Sequence, residues 1–464
     1  MSRAVIGLPL FAAVAVLSAA ALPAQAAEST DTAAIRAEIA AMKADYEARI
    51  AALEARVAAA EAARGLSPDQ TAAGSAEAAP QADSVEMAEN SDLEAESEPV
   101  TPVANPNAMN PGIAVVLNGN YFSSTRDPSI ARMPGFEIAD ETGSPPRGFS
   151  LAESEVTLMA NVDPYMSAAL TVAFDGGGAA AVEEAFIQST SMPGGLTLKG
   201  GRFFSGVGYL NERHAHNWMF IDMPLPYRAF MGGQYGDDGV QVRWLAPTEF
   251  FLEFGAEAFR GDAFPAGGAA NRGVGTWTAF VHTGADINDS SSWMAGASWV
   301  KADADGRETE DPLLGLNLFS GKTDLGILTG VYKWAPGGNA TQRSFTVTGE
   351  YFFGNESGDF NGVPVNIDRT GWYLQAAYKY RQRWTAGLRY SRIDTDNPGA
   401  LLVGSTLDSL GVDAWSASAL LEYDSSEFGR FRLQYTRDES DLRPSDQFWF
   451  QYTVIYGPHV AHRY

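Results

Sequence analysis

The segment Gln447-Phe448-Trp449-Phe450-Gln451-Tyr452-Thr453-Val454-Ile455-Tyr456 places aromatic and aliphatic side chains on alternate residues. Phe448, Phe450, Tyr452, Val454 and Tyr456 share one parity, and Val460 and Tyr464 continue it. Gln447, Gln451, Thr453 and His459 occupy the other, and Trp449 and Ile455 break the pattern. A period of two sustained this long is a β-strand with one apolar face. The alternation returns at Trp384, Ala386, Leu388 and Tyr390, opposite Thr385, Gly387, Arg389 and Ser391. It returns again at Phe431, Leu433 and Tyr435, and at Val240, Val242 and Trp244.

Extending this reading predicts sixteen strands in residues 113–464. They fall near 113–122, 150–162, 165–175, 180–190, 195–204, 237–246, 249–260 and 274–286. The others fall near 290–302, 322–335, 341–354, 367–380, 382–394, 411–424, 426–438 and 445–464. The connections alternate between short (Asp163-Pro164, Ser191–Gly194, Asp286–Asp289, Arg381-Gln382) and long (123–149, 205–236, 261–273, 303–321, 355–366, 395–410). A soluble sandwich has no reason to sort its loops this way. A barrel that crosses a membrane does, with its apolar face toward lipid. The predicted fold is therefore all-β: a 16-stranded antiparallel transmembrane β-barrel, wide enough to hold water.

Composition agrees. The chain has 464 residues, 47 of them glycine and 52 aromatic (25 Phe, 10 Trp, 17 Tyr), with no cysteine and a net charge of −25. Without cysteine there are no disulfides, thiolate metal sites or cysteine nucleophile. The acidity argues against nucleic acid as a partner. Beyond residue 26 no apolar run reaches the length of a membrane helix.

Residues 1–26 read as a signal peptide, with Arg3, an apolar stretch from Ala4 to Leu22, and a small-x-small site at Ala24-Gln25-Ala26. Residues 27–64 hold a helix. Ile39, Met42, Tyr46, Ile50, Leu53, Val57 and Ala60 form a narrow apolar stripe, which suits a coiled-coil seam. Residues 65–112, rich in Ala, Glu, Ser and Pro and free of aromatics, read as a disordered acidic linker. With the short turns and both termini on the periplasmic side, the coiled-coil helix is periplasmic.

Glu183-Glu184-Ala185-Phe186-Ile187-Gln188 and Gly195-Leu196-Thr197-Leu198-Lys199-Gly200-Gly201-Arg202-Phe203-Phe204-Ser205-Gly206-Val207-Gly208 resemble a stretch of the phosphate-selective porins of the O/P type and related outer-membrane porins. The helix, linker and barrel repeat that family's layout over nearly the whole mature chain. The resemblance implies a homotrimer in the outer membrane of a Gram-negative cell. It also implies a third loop folded inward to narrow the pore. It does not carry over the substrate, because the family's ladder of arginine and lysine has no residue-by-residue match.

In that loop, residues 205–236, the candidate constriction residues are Glu212, Arg213, His214, His216, Asp222 and Arg228. Charges of both signs at a constriction set ion preference through a local field. Strand parity points Lys199, Arg243, Lys379, Arg389, Arg430 and Arg432 into the lumen, with Glu153, Glu155, Glu253, Glu257 and Glu350. Acids gather on early strands and bases on late ones, so a field across the pore is expected. His214 and His216 share a face only in extended chain. With Glu212 or Asp222 alone beside them they fall short of a four-ligand zinc site. Adjacent acids such as Glu183-Glu184 and Asp237-Asp238 point oppositely on a regular strand. No catalytic arrangement stands out, and no metal or cofactor is predicted.

The expected function is a porin for passive diffusion of small hydrophilic solutes or ions. Two alternatives remain open. One is an outer-membrane receptor for a metal such as zinc, capturing it at His214 and His216. The other is an envelope tether acting through residues 32–64.

Overall fold

The computed structural model describes residues 112–139, 142, 145–268 and 273–457. The expected signal peptide, coiled-coil helix and linker lie outside the described residues, as do His459, His462 and Tyr464. No helix among the described residues is long and apolar enough to cross a membrane.

One antiparallel sheet dominates. Its strands are β1 (Gly112–Ser124), β2 (Gly148–Leu151), β3 (Ser154–Asp163), β4 (Met166–Phe174), β5 (Ala180–Ser189) and β6 (Leu196–Phe204). Next come β7 (Gly236–Leu245), β8 (Phe251–Phe259), β9 (Thr276–Asn288), β10 (Ser291–Asp311), β11 (Gly315–Trp334) and β12 (Arg343–Phe360). The last are β13 (Val363–Tyr380), β14 (Trp384–Thr395), β15 (Trp415–Ser426), β16 (Gly429–Asp438) and β17 (Ser445–Tyr456).

β1 closes the ring. It pairs with β17 from Val115↔Tyr456 to Ser124↔Gln447, and on its other side with both β2 and β3. β2 and β3 are thus two pieces of one stave, broken at Ala152-Glu153, and the seventeen strands make sixteen staves. Among the described residues every stave has a paired neighbour on both sides, so the sheet closes without a free edge strand, the condition for it to sit in hydrocarbon.

The alternation read from sequence is the barrel's inside and outside. Phe448, Phe450 and Tyr452 are exposed on the outer face, with Trp244, Trp277, Trp299, Trp372, Leu374, Leu388, Leu421, Phe431 and Leu433. Gln447, Gln451 and Thr453 are buried inside.

Two expectations need correction. Segments 303–321 and 355–366 are not loops. β10–β11 and β12–β13 run on as long hairpins of 18–21-residue strands, turning only at 312–314 and 361–362. Alternation persists through them, but their charged residues mimic a loop in composition.

The second correction concerns the interior. At mid-height it is packed, not simply water-filled. Three long loops, L1 (125–147), L3 (205–235) and L7 (396–414), turn inward and interlock. L1 places Phe136 edge-on to Phe230 of L3, ring centres 5.7 Å apart. Gly135 of L1 donates its N–H to the Thr406 carbonyl of L7 at 2.9 Å. Strand side chains that parity assigns to a polar wall are instead apolar where L3 lies. Phe203, Phe259, Phe280, Val300, Leu325, Ile327, Phe352, Tyr373 and Ile393 form one buried cluster with Leu225, Tyr227, Phe230 and Met231 of L3. Each such burial of an apolar side chain stabilises by about 1.5–3 kcal/mol, so apolar packing holds the inner loop to the wall.

Candidate functional site

L3 leaves the wall at Ser205 and returns at Tyr235. Its base is closed by Asn211, whose amide donates to the Ser205 and Tyr235 carbonyls (2.7 and 2.8 Å) and accepts from the Tyr235 N–H (2.7 Å). Gly206 is required there, since a Cβ would stand 2.5 Å from the Phe280 ring and 2.8 Å from Arg243. Farther along lies helix α1 (Leu225–Met231). Pro224 and Pro226 start it, and Gly232 stops it in the left-handed region at φ 62°, the usual pairing of proline at the start and glycine at the end. α1 lies against β13 and β14.

The wall charges predicted from parity are mostly spent on L3. On one side Arg389 donates to the Asp222 carbonyl (2.5 Å) and carboxylate (2.6 Å), and Gln434 also donates to Asp222 (2.6 Å). Arg432 donates to the Trp218 carbonyl at 2.8 Å, and Arg430 to that of His216. These are charge-assisted hydrogen bonds onto loop backbone. Arg243 pairs with Glu212, and Glu257 accepts the Gly206 N–H at 2.9 Å.

Glu350 is the busiest acceptor. Its carboxylate takes the Tyr227 hydroxyl (2.7 Å), the Tyr373 hydroxyl (2.6 Å), the Thr329 hydroxyl (2.7 Å) and the Tyr209 N–H (2.8 Å). Of the other predicted residues, Lys379 pairs with Asp424 (2.9 Å) and Lys199 sits 4.6 Å over the Phe186 ring. Glu253 lies 3.7 Å from Arg243. Arg213 stacks on Tyr209, 4.3 Å from its ring centre, and Arg228 is half-buried on α1.

The histidines correct the expected grouping. Glu212 and Asp222 are engaged by Arg243 and Arg389, not by imidazole. His214 Nδ1 instead lies 3.2 Å from both Glu155 and Glu183, and its Nε2 lies 3.0 Å from Glu184. His216 Nδ1 is 2.9 Å from Glu155, and the two rings stack with centres 5.7 Å apart. His214 precedes a single 3-10 turn (Ala215–Asn217) and His216 sits within it, so the segment is not extended chain.

Glu183 and Glu184 both reach inward, against the expectation for neighbours on a strand. The β4–β5 register explains it. Thr171 pairs with Glu184 and Val172 with Val182, leaving Glu183 as the extra residue of a bulge. A bulge turns two successive side chains to one face. The regular strand at Asp237-Asp238 behaves as parity requires: Asp237 is buried, and Asp238 points out to Arg202.

Below L3, toward the short turns, a cavity of about 290 Å³ is bordered by Arg213, Asn217, Asp289, Lys333, Lys379, Glu422 and Arg430. Carboxylates therefore reach L3 from β3 and β5 and also from β8 and β12, and guanidinium groups from β14 and β16 and also from β7.

Together these features define a closed, apolar-coated antiparallel barrel with an inner loop clamped to opposite walls. Comparison with known proteins adds a family. The chain belongs to the same family as an uncharacterized protein of Aquifex aeolicus (strain VF5), to which it is 30% identical over 344 residues, 68% of this chain and 70% of that one. No family profile matches. Among solved structures, it is similar to an anion-selective porin from Comamonas acidovorans (TM-score 0.49, 9% identity, 75% of this chain and 99% of that one). It is also similar to the outer-membrane channel DcaP of Acinetobacter baumannii (0.48, 11%, 75% and 96%) and to the trimer form of OmpT of Vibrio cholerae (0.47, 11%, 75% and 99%).

Proposed function

We propose that this protein is an outer-membrane channel for passive diffusion of small hydrophilic solutes or ions, with L3 as the element that sets what passes. The observation that carries this reading is L3 itself. It crosses the inside of a closed barrel yet belongs to no strand ladder, and side-chain clamps and packing hold it. Such a loop narrows a path without being part of the wall.

The constriction residues are Glu212, Arg213, His214, His216, Asp222 and Arg228. Acids on β3 and β5 and arginines on β14 and β16 reach L3 from different sectors of the wall, and the field between them orders water and ions. The N-terminal region hangs in the periplasm, and the assembly is a homotrimer. Supporting this, the outer faces of β3, β4 and β5 carry Val156, Leu158, Ala160, Ala168, Leu170, Val172, Ala185 and Ile187. They lack the Trp and Tyr that crowd the outside of β10–β17. Small side chains let a second wall approach closely.

The test is single-channel conductance of the purified protein in a planar bilayer, with the reversal potential read under a salt gradient. Conductance stepping in threes is expected. Folded, inserted protein that passes no current would overturn the channel reading.

A further inference from the structure

We propose that the pocket where L3 meets β3 and β5 is a binding site for one divalent transition-metal ion, with His214, Glu155 and Glu183 as ligands. Each of the three offers one donor atom, and these lie within 4.8 Å of one another. Two donors come from the wall and one from the loop, so the ion ties L3 to the barrel.

The distances fit an ion. Zinc bonds of about 2.0 Å at tetrahedral angles set neighbouring donors roughly 3.3 Å apart. His214 Nδ1 stands 3.2 Å from Glu155 Oε2 and 3.2 Å from Glu183 Oε2. Hydrogen bonding alone accounts for this less well. Nδ1 carries at most one proton and serves one carboxylate at a time, leaving the other facing it unbonded.

A second observation is independent of the imidazole. Glu153 Oε1 is buried without a hydrogen-bond partner, and its carboxyl group adjoins Glu183 and Glu155. Among the described residues, Glu153, Glu155, Glu183 and Glu184 therefore share one pocket. The imidazoles pair with Glu155, Glu183 and Glu184, and Lys199 borders the same pocket. Four carboxylates buried this close together repel one another and are costly to desolvate, and a divalent ion bound among them offsets that cost.

Space adjoins the site: a cavity of about 60 Å³, about twice the volume one water takes up in the liquid, is bordered by two of the three ligands, Glu155 and His214, and by Glu184, His216 and Lys199. Imidazole with carboxylate suits zinc, iron or nickel better than the all-oxygen ions calcium and magnesium. Glu184 at Nε2 orients the His214 ring, and His216 at Glu155 Oε1 orients that carboxylate, the arrangement that tunes ligands from behind. The site stands on side-chain geometry and holds whether or not solutes diffuse through the barrel.

The experiment uses full-length protein folded in detergent, stripped with chelator, in an H459A/H462A background that removes the terminal histidine pair. Zn2+ is titrated by calorimetry, and Co2+ by its visible absorption. One ion per chain is expected, with His214→Ala and Glu183→Gln each weakening affinity on the order of tenfold or more and abolishing the Co2+ bands. Absence of stoichiometric binding, or equal binding in both variants, overturns the site. If His214→Ala fails to show the heat-shifted gel mobility of a folded barrel, Glu183→Gln and the Co2+ spectrum decide.

Discussion

Replacing Glu350 with alanine tests whether L3 is held by its polar clamps. The carboxylate accepts from three hydroxyls and one backbone N–H, all at 2.6–2.8 Å, and is buried. Truncation leaves the Tyr227, Tyr373 and Thr329 hydroxyls and the Tyr209 N–H without this acceptor. Each orphaned buried donor costs about 1–3 kcal/mol. Thr329 is on β11 and Tyr373 on β13, so only the contacts to Tyr227 and Tyr209 bear on the seating of L3. Water entering the vacated space recovers part of their cost, leaving about 2–3 kcal/mol. Glu350 is on β12, but its side chain is not part of the β-ladder, so the barrel stays closed. With every 1.4 kcal/mol worth tenfold, loop release rises by about one and a half to two orders of magnitude. Trypsin reads it directly, since L3 carries Arg213 and Arg228. The variant is expected to be cut within L3 while the rest of the barrel resists, and its bilayer current to be larger and noisier. An L3 as resistant as wild type, with unchanged current, would refute the view that these clamps hold the loop.

Three further outcomes follow from the same geometry. Arg389→Ala with Arg432→Ala removes two guanidinium groups that hold L3, so the reversal potential should move toward cation preference; no shift would deny them a part in selectivity. Arg307, buried on β10, pairs with Glu356 at 2.8 Å and with Glu137 of L1. Arg307→Ala leaves Glu137 without its cation and Glu356 with Arg369 alone, and should cost about 3–5 kcal/mol, read as a lower temperature for loss of the folded band on gels. Gly206→Ala pushes a methyl group into Phe280 and Arg243. It should loosen the base of L3 and raise its tryptic cleavage, while Gly330→Ala, which meets nothing within 4 Å, should not.

Much of the barrel is legible in the sequence. Period-two alternation is a local property, because a side chain's face on a strand is fixed by its neighbours' faces. The segments from 113–122 onward accordingly lie on the observed staves, within a few residues except where β10–β13 run on into long hairpins and where the last, 445–464, extends past β17 beyond the described residues. The inward burial of Arg243, Arg389, Arg432, Glu155, Glu257 and Glu350 follows from the same parity.

What those side chains touch was decided by the tertiary structure. Phe203, Phe259 and Phe352 break the polar parity because L3, distant in sequence, lies against them. Glu183 and Glu184 meet His214 because a single unpaired residue in β5 turns one acid to the other's face. Nothing within the pentad around them announces that bulge, since it arises from pairing with β4. Strand identity is written in nearest neighbours and can be read from one sequence. The interior depends on which loop folds against which wall, and long-range packing alone sets that.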